Sequence, residues 1–213
     1  MNLQEQIYRI QSMMGLIVEE DDLSLSDLEK RDQEMRMDDE KTMDMDIDLD
    51  NQKHLKRILG DNPEKFIQNI NSFEDLKSVW LITQHADNDV EFQKMILNSL
   101  QKNIRTLIEK FPSEEMVIKQ GIAMLTDRIM VNSTVTNFSD ISDGIQKYGS
   151  QGGTHNGIWV PRRIKMGGKT YFFNTPEELL NNTNFLFKIN RLRNEMGLQP
   201  LEDYVRHMQK YNQ

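Results

Sequence analysis

Residues whose types could do chemistry are concentrated in four short motifs in the last three-quarters of the 213-residue chain. The motifs cover residues 84–87 (Gln-His-Ala-Asp), 127–128 (Asp-Arg), 146–151 (Gln-Lys-Tyr-Gly-Ser-Gln) and 193–204. The first two lie on stretches that otherwise have the pattern of buried helices, where an ionisable group must be paired to avoid a large desolvation cost. We therefore expect the motifs to form one shared polar site, although they specify no reaction.

The stretch around Asp127 has the pattern of a helix that is apolar on two sides. One face carries the branched residues Ile118, Ile122, Leu125 and Ile129, and the opposite side carries Met116, Ala123, Met124, Met130 and Val131. A helix that is apolar all round is normally buried. Asp127 lies in the middle of the second face, so we expect its carboxyl group to be in the interior.

The helix expected at residues 73–87 places His85 in the same situation, because Leu81 and Ile82 flank it on the side opposite Trp80. Two buried ionisable groups are satisfied most simply by each other. The pattern therefore predicts contact between His85 and Asp127, either directly or through a polar neighbour. These neighbours are Gln84, Asp87 and Arg128.

In the functional interpretation, His85 and Asp127 form a catalytic dyad. Asp127 would hold the imidazole in one tautomer while His85 acts as a general base or acid. In a second interpretation the two residues belong to a buried polar network that only fixes the register of the helices. In a third, His85, Asp87 and Asp127 bind a metal, although their spacing matches no recognised ligand signature. We assign no metal site, and the sequence identifies no cofactor.

The segment 146–151 has the composition of a loop that recognises a small molecule, and equally that of an ordinary ordered loop. Gly149 permits close approach of the backbone, while Tyr148 and the two glutamines supply neutral hydrogen-bonding groups. Arginine side chains can add forked contacts to an anion. We therefore predict a small polar or anionic ligand. Its predicted binding residues are Gln84, Asp87, Arg128, Gln146, Tyr148, Gln151 and Arg193.

The elements that must position these residues are mainly helical. Apolar residues recur at helical spacing in segments near residues 51–59, 73–87, 89–110, 114–132, 176–196 and 200–213. The best hairpin signal consists of residues 157–164 and 169–173 around Met166-Gly167-Gly168. These patterns predict a compact, mainly α-helical domain over residues 50–213, with one β-hairpin insertion at about residues 157–173.

The first fifty residues differ from this body in charge. They hold 16 acidic and 5 basic residues, a net charge of −11, whereas the remainder of the chain carries +3. Residues 1–18 have apolar residues at helical spacing and predict a short amphipathic docking helix. Residues 19–49 contain acids, serines and methionines but no aromatic residue, which predicts a disordered acidic linker. Asp50 is a natural N-cap at the boundary.

Charge and composition exclude several classes of protein. The acidic segment repels nucleic acid and anionic membranes, and the body has no long basic stripe, so we expect neither as a partner. The chain has no cysteine, which excludes disulfides, thiolate metal sites and cysteine nucleophiles. No apolar run approaches the ~20 residues that span a bilayer. Glu5 and Arg9 interrupt the stretch that a secretory signal would need, so we expect a protein that is not secreted.

Taken together, the motifs resemble a bacterial family known as domain of unknown function 6624. Its members carry, in order, D-x-x-N, W-L-x-x-Q-H-A-D, E-F-Q, L-x-D-R, G-x-x-Q-x-Y-G-T-Q, R-R and G-L-x-P-L-x-x-Y. This chain offers Asp50 next to Asn51, a departure in spacing, and then matches at Trp80-Leu81, Gln84-His85-Ala86-Asp87, Glu91-Phe92-Gln93, Leu125, Asp127-Arg128, Gly144, Gln146, Tyr148-Gly149, Gln151, Arg193, Gly197-Leu198, Pro200-Leu201 and Tyr204. Ser150 replaces the usual threonine, and residues 133–143 and part of 152–174 look like insertions. The resemblance covers about residues 50–206 and implies a common site around His85, Asp127 and the Tyr148 loop, but no activity.

The N-terminus is similar to leader segments of some tailed-phage proteins, which begin with a short E-Q-I-x-R-I-x-x-M-M-G helix. Ile17-Val18-Glu19 also fits the loose rule for cleavage of capsid-targeting leaders, although such a tripeptide is common by chance. A free amphipathic helix explains the same residues. The similarity implies a phage structural protein as a partner through residues 1–18, and a location in the host cytoplasm or the phage particle.

Two functions are therefore in competition. The first is a phage-like protein whose His–Asp–Arg pocket acts on a small polar or anionic ligand, as a hydrolase or group transferase. The second is a non-enzymatic binding or virion-associated module whose polar cluster is structural. An enzyme should have an open pocket at His85, bordered by the Tyr148 loop, whereas a structural network should be closed.

Overall fold

The structure is a computed structural model that describes residues 23–37, 45–134, 144–155 and 158–211. These residues form nine α-helices, one short 3-10 helix and five short strands, so the predicted mainly α-helical class is confirmed. The first group of helices is α1 (Leu25–Met37), α2 (Met45–Leu59), α3 (Pro63–Asn69), α4 (Phe73–His85), α5 (Val90–Lys110) and α6 (Glu115–Asn132). The second group is α7 (Pro176–Leu180), α8 (Thr183–Glu195) and α9 (Leu201–Tyr211).

Local sequence sets where several of these helices begin. Side chains at the N-caps accept hydrogen bonds from backbone N–H groups of the first turn, which otherwise have no partner. The residues in these positions are Asn62 before α3, Ser72 before α4, Asp89 before α5, Thr175 before α7 and Asn182 before α8. The predicted starts of α4, α5 and α7 are therefore close to those observed.

Two apolar cores lie on either side of the segment 144–151. Helices α1 to α6 enclose the first, in which Leu28, Leu55 and Leu125 are fully buried. The strands pack with α7, α8 and α9 around the second, whose buried residues include Phe185 and Ile189. The segment between them therefore faces both groups of helices.

The strands are short and form two small sheets. Strand β1 (Ile145–Gln146) pairs in parallel with β4 (Arg163–Met166), which pairs antiparallel with β5 (Lys169–Phe172). Strand β2 (Gly153–His155) pairs antiparallel with β3 (Ile158–Val160). The predicted hairpin is present but narrower than residues 157–173, because β3 pairs with β2 and only β4 and β5 form its arms. Its turn places Gly167 and Gly168 at φ 57° and 78°, which glycine adopts without strain.

The disordered linker predicted for residues 19–49 is corrected for residues 25–37 and 45–49, which are helical. Helix α1 buries Leu25, Leu28 and Met35, and two of its acids, Glu29 and Asp32, pair with residues of other helices. Glu29, for example, accepts hydrogen bonds from Lys77 at 2.7 Å and from Ser78 at 2.6 Å. The folded body therefore begins before Asp50. The predicted helix at 1–18, the cleavage site after Glu19 and residues 19–22 and 38–44 of the linker lie outside the described residues.

Candidate functional site

Most of the predicted site residues belong to one hydrogen-bonded network that starts at the C-terminal end of α4. The Nε2 of Gln93 donates to the backbone carbonyl of Gln84 at 3.3 Å, and its Oε1 accepts from Nδ2 of Asn132 at 3.1 Å. The same Nδ2 donates to Oδ1 of Asp87 at 2.9 Å. Helices α4, α5 and α6 are thus joined through Asp87, which follows α4 directly.

Arg128 carries this network from α6 into the loop at residues 144–151. Its Nε donates to Oδ1 of Asp87 at 2.7 Å, its Nη2 donates to Oδ2 of the same carboxylate, and its Nη1 donates to Oε1 of Gln151 at 3.3 Å. Gln146 and Gln151 then bond to each other: Gln146 Nε2 donates to the Gln151 carbonyl at 2.6 Å, and the Gln151 N–H donates to Gln146 Oε1 at 2.8 Å. The forked contact predicted between Arg128 and a ligand is therefore made to Asp87.

Asp127, on the buried side of α6, binds the same loop through its carboxylate. Its Oδ1 accepts from the backbone N–H groups of Lys147 at 2.7 Å and Tyr148 at 2.9 Å, and its Oδ2 accepts from the N–H and the hydroxyl of Ser150, both at 2.8 Å. The side chain is fully buried, as predicted. Burial raises the pKa of the Asp127 carboxyl above its ordinary value, while these donors favour the charged form.

The direct dyad predicted between His85 and Asp127 is wrong. Among the described residues, every hydrogen-bond donor to the Asp127 carboxylate lies in the loop, and the His85 imidazole bonds in the other direction, to α1. Backbone N–H groups of the loop already donate hydrogen bonds to the buried Asp127 carboxylate, so it does not require the His85 imidazole as a partner. The structure also does not bring His85, Asp87 and Asp127 together as metal ligands, because each bonds to a different partner: Asp32, Arg128 and the loop, respectively.

Arg193 holds the loop from α8. Its side chain is buried; Nη1 donates to the Tyr148 carbonyl at 2.6 Å and Nε donates to the Gln199 carbonyl at 2.7 Å. The guanidinium also lies 5.3 Å from the ring centre of Tyr204, whose hydroxyl donates to the Ser150 carbonyl at 2.9 Å. Burial lowers the pKa of Arg193 to about 10, so the group stays charged at neutral pH. Tyr148 takes part in the network through its backbone: its N–H donates to Asp127 and its carbonyl accepts from Arg193.

His85 belongs to a separate group of side chains, which we name the His85 cluster: Asp32, Arg36, Asp48 and His85. The Nδ1 of His85 lies 2.7 Å from Oδ1 of Asp32. Arg36 donates from Nη2 to Oδ1 of Asp48 at 2.6 Å, and its Nε lies 3.3 Å from both oxygens of Asp32. Helices α1, α2 and α4 each contribute to the cluster, and it lies at the edge of the first core.

The contacts of Asp32 fix the tautomer of His85. Burial acts to raise the pKa of Asp32, but the hydrogen bond from His85 and the charges of His85 and Arg36 outweigh it, and the pKa is lowered. An ionised carboxylate only accepts hydrogen bonds, so Nδ1 carries the proton and the 3.1 Å approach of Arg36 Nε to Nδ1 is not a hydrogen bond. The neutral imidazole then has its lone pair on Nε2, to which no described residue bonds.

The two carboxylates beside His85 differ in acidity. Burial raises the pKa of Asp48 despite the opposing charge of Arg36, whereas the pKa of Asp32 is lowered. The side chains of Asp48, Arg36 and His85 are 21%, 17% and 16% exposed, whereas that of Asp32 is 1% exposed. A pair of carboxyl groups whose pKa values are shifted apart beside a partly open histidine is typical of acid–base sites.

The His85 cluster also has the geometry of a metal site. One ligand atom from each of Asp32, Asp48 and His85 lies within 4.8 Å of the others. The guanidinium of Arg36 already donates to both carboxylates, however, so a metal ion would have to displace a positive charge that the fold supplies. Acid–base chemistry would need no such displacement.

The segment assigned to the linker contains Asp32, Arg36 and Asp48, so none of them was predicted as a site residue. One signal could have found Asp48: it stands three residues before Asn51, the spacing of the D-x-x-N pattern, whereas Asp50 does not and instead pairs with Arg31 at 2.6 Å. Asn51 is buried, and neither atom of its amide has a partner among the described residues.

Comparison with known proteins adds no identification: no family model, curated protein or solved structure matches this chain. The resemblance to domain of unknown function 6624 and to phage leaders therefore remains a hypothesis. Within the described part of the chain, none of the helices has the length and apolar character needed to cross a membrane.

Proposed function

We propose that the protein catalyses hydrolysis or group transfer on a small polar or anionic ligand, by general acid–base catalysis at the His85 cluster. The observation that carries the proposal is the 2.7 Å contact between His85 Nδ1 and the buried Asp32 carboxylate. This contact orients the ring and leaves Nε2 as a base on a side chain that is partly exposed. The catalytic aspartate of the hypothesis is thus Asp32 in place of Asp127.

Each group in the cluster has a role in such a reaction. Nε2 of His85 takes a proton from water or from a hydroxyl group, whose oxygen attacks the ligand, and Asp32 stabilises the imidazolium that forms. The imidazolium then gives this proton to the leaving group, so the reaction balances without a second acid, and the Asp48 carboxylate holds Arg36 in place through its 2.6 Å hydrogen bond. Arg36 supplies positive charge, since no described residue accepts a hydrogen bond from its Nη1.

Two amides on the helices that carry Asp48 and His85 have buried atoms without a partner among the described residues. The amide of Asn51, one helical turn after Asp48, and Oε1 of Gln84, next to His85, are buried without a partner among the described residues. Buried polar atoms without a partner are rare in folded proteins, and a ligand or water commonly supplies what they lack.

The experiment first identifies the ligand class by mass spectrometry of small molecules that the purified chain retains, and by screening carboxylic and phosphate esters for turnover. His85→Gln is then compared with His54→Gln, a matched control, since His54 is also buried on a helix and lies beside Arg57 and Asp50. Loss of a general base should lower the rate about 100- to 10,000-fold in His85→Gln only. Equal rates in both variants, or no turnover and no retained molecule, would overturn the proposal.

The second candidate function is a non-enzymatic binding or virion-associated module. It is favoured by the Asp127 end of the network, where the loop is fastened by backbone contacts and buried. In this case His85 is structural, and His85→Gln should lower the free energy of unfolding by about 1–3 kcal/mol because Asp32 loses a buried hydrogen bond. A functional His85 should cost little, since active sites hold polar groups that do not optimise stability. Thermal melts of the two histidine variants separate these outcomes.

The proposed partner and location depend on resemblance alone. Residues 1–18 would dock on a phage structural protein, and the protein would act in the host cytoplasm or in the phage particle. If the leader is of the capsid-targeting type, chain recovered from particles should begin at Glu20. Particles that contain the chain with Met1 intact would reject cleavage.

A further inference from the structure

We infer that the cleft between α6, α8 and α9 is a second binding site, which takes a small organic molecule with an anionic head and an apolar body. The cleft has a volume of ≈ 490 Å³ and is lined by side chains from all three helices and by the turn at residues 197–200. Sites for small ligands usually have volumes of about 300–1,000 Å³. None of the four residues of the His85 cluster lines it.

Arg193 supplies the positive charge of this site. Its side chain is 1% exposed, yet the residue lines the cleft. Nε and Nη1 donate to two backbone carbonyls, and no described residue accepts a hydrogen bond from Nη2. The nearby carboxylate of Asp127 is occupied by donors of the loop, so it does not pair directly with the guanidinium. The charges of Asp127 and Glu202 also act on this guanidinium, but neither makes a hydrogen bond to it, so its free Nη2 is the donor that an anion in the cleft would meet.

The remaining lining groups are neutral, and several are apolar. Met116, Met124, Leu198 and Pro200 provide apolar surface, and Met116 is exposed although it is a large hydrophobic residue. Methionine side chains adapt to ligands of different shape. Asn194 lies at the cleft with an exposed side chain, and Gln120 donates to the Gly197 carbonyl at 2.5 Å, which holds the turn against α6.

Gly197 lets the turn come this close to α6. Its φ of +69° favours glycine, and a Cβ at this position would lie 2.9 Å from Cε of Met116. The turn ends α8 with backbone hydrogen bonds to Arg193 and Asn194, so the arginine and the apolar rim are held in fixed relation. The site is therefore formed by the fold before a ligand arrives, which lowers the entropy lost on binding.

The test measures binding of three probes to the full chain by calorimetry and by NMR of the Arg193 Nε–H group: benzoate, phenyl phosphate and neutral benzamide. The two anions distinguish a carboxylate head from a phosphate head. We expect at least one anion to bind at least about tenfold more tightly than benzamide and to shift the Arg193 signal. Equal binding of benzamide, or no saturable binding of either anion, would overturn the inference.

Two matched variants locate the site. Asn194→Glu puts a negative charge at the cleft and should weaken binding of the anion at least about tenfold. Asn184→Glu makes the same change on an exposed residue of α8, about 15 Å away along the helix, and should leave binding unchanged. His85→Gln should also leave binding of the anion unchanged, so the cleft and the proposed catalytic function are tested independently. Equal effects of the two glutamates would reject the cleft as the site.

Discussion

Replacing Asp127 with asparagine tests whether a buried carboxylate holds the loop at residues 144–151. Oδ1 accepts from the N–H groups of Lys147 and Tyr148, and Oδ2 accepts from the N–H and hydroxyl of Ser150. Asparagine keeps one oxygen and puts an NH2 group at the other position. If the oxygen keeps the first two bonds, the NH2 group faces the Ser150 N–H, and two donors oppose each other away from solvent.

The size of the effect follows from these contacts. A buried donor left without an acceptor costs about 1–3 kcal/mol, whereas the Ser150 hydroxyl can turn and accept from the new amide. Arg193 also loses the nearby negative charge that opposes the cost of burying it. We therefore expect Asp127→Asn to lower the free energy of unfolding by about 3 kcal/mol. For a chain of this length, that corresponds to a fall in Tm of about 6–12 °C.

The assay is urea unfolding followed by tryptophan fluorescence, since Trp159 packs in the second core with its ring centre 5.4 Å from that of Tyr204. Ser150→Ala is the matched control, because it removes one hydroxyl and leaves every N–H contact to Asp127 in place. It should cost about 1 kcal/mol. An Asp127→Asn variant that is no less stable than Ser150→Ala would refute the account of the loop.

Two further predictions concern the N-terminal boundary and acid. A chain that starts at Asp50 lacks α1 and with it the buried Leu25, Leu28 and Met35, each of which stabilises the fold by about 1.5–3 kcal/mol, so its Tm should lie far below that of the full chain. A chain that starts at Leu23 keeps α1 and should have the Tm of the full chain. Equal Tm values for the two truncations would contradict the packing of α1. Burial acts to raise the pKa of Asp89, but hydrogen bonds from Lys56 and the Phe92 N–H outweigh it, and the pKa in the folded chain lies below its ordinary 3.8. The stability that the Asp89 carboxylate contributes is therefore fully present above pH 3.8 and is lost as the pH falls through the pKa of the folded chain. Urea midpoints of Asp89→Asn should therefore fall less than those of the native chain from about pH 5 to pH 3, and parallel curves would show that Asp89 is not the group responsible.

Periodicity predicted the helices of the body well because their apolar faces are continuous in sequence. The helix expected at residues 89–110 is found at Val90–Lys110, and its N-cap is Asp89. Helix α1 was missed because its stability comes from residues far away in the chain. Glu29 pairs with Lys77, and Asp32 with His85, so a run that is acidic by composition is neutralised in three dimensions.

The burial of Asp127 was predicted and its hydrogen-bond partners were not, for a related reason. Helical periodicity placed Asp127 in the interior correctly, since burial depends on the neighbours along one helix. Its partners are backbone N–H groups of Lys147, Tyr148 and Ser150, and a backbone donor has no signature in residue types. The His85 partner was lost with α1, because Asp32 is 53 residues away in a segment whose composition indicated disorder.

The two buried aspartates belong to separate groups of side chains: Asp127 to the network that holds the loop, and Asp32 to the His85 cluster, the proposed catalytic site. The contacts of Asp127 are made with uncharged donors that the chain holds in place, so a change in its protonation would disturb the loop. Asp32 bonds to a group that can itself gain a proton, and a proton that arrives at Nε2 of His85 leaves the Nδ1 bond intact. Because Asp32 and Arg36 both lie on α1, any chemistry at His85 depends on that helix. Activity should therefore require α1 in place, whereas the cleft at Arg193 is built from α6, α8 and α9.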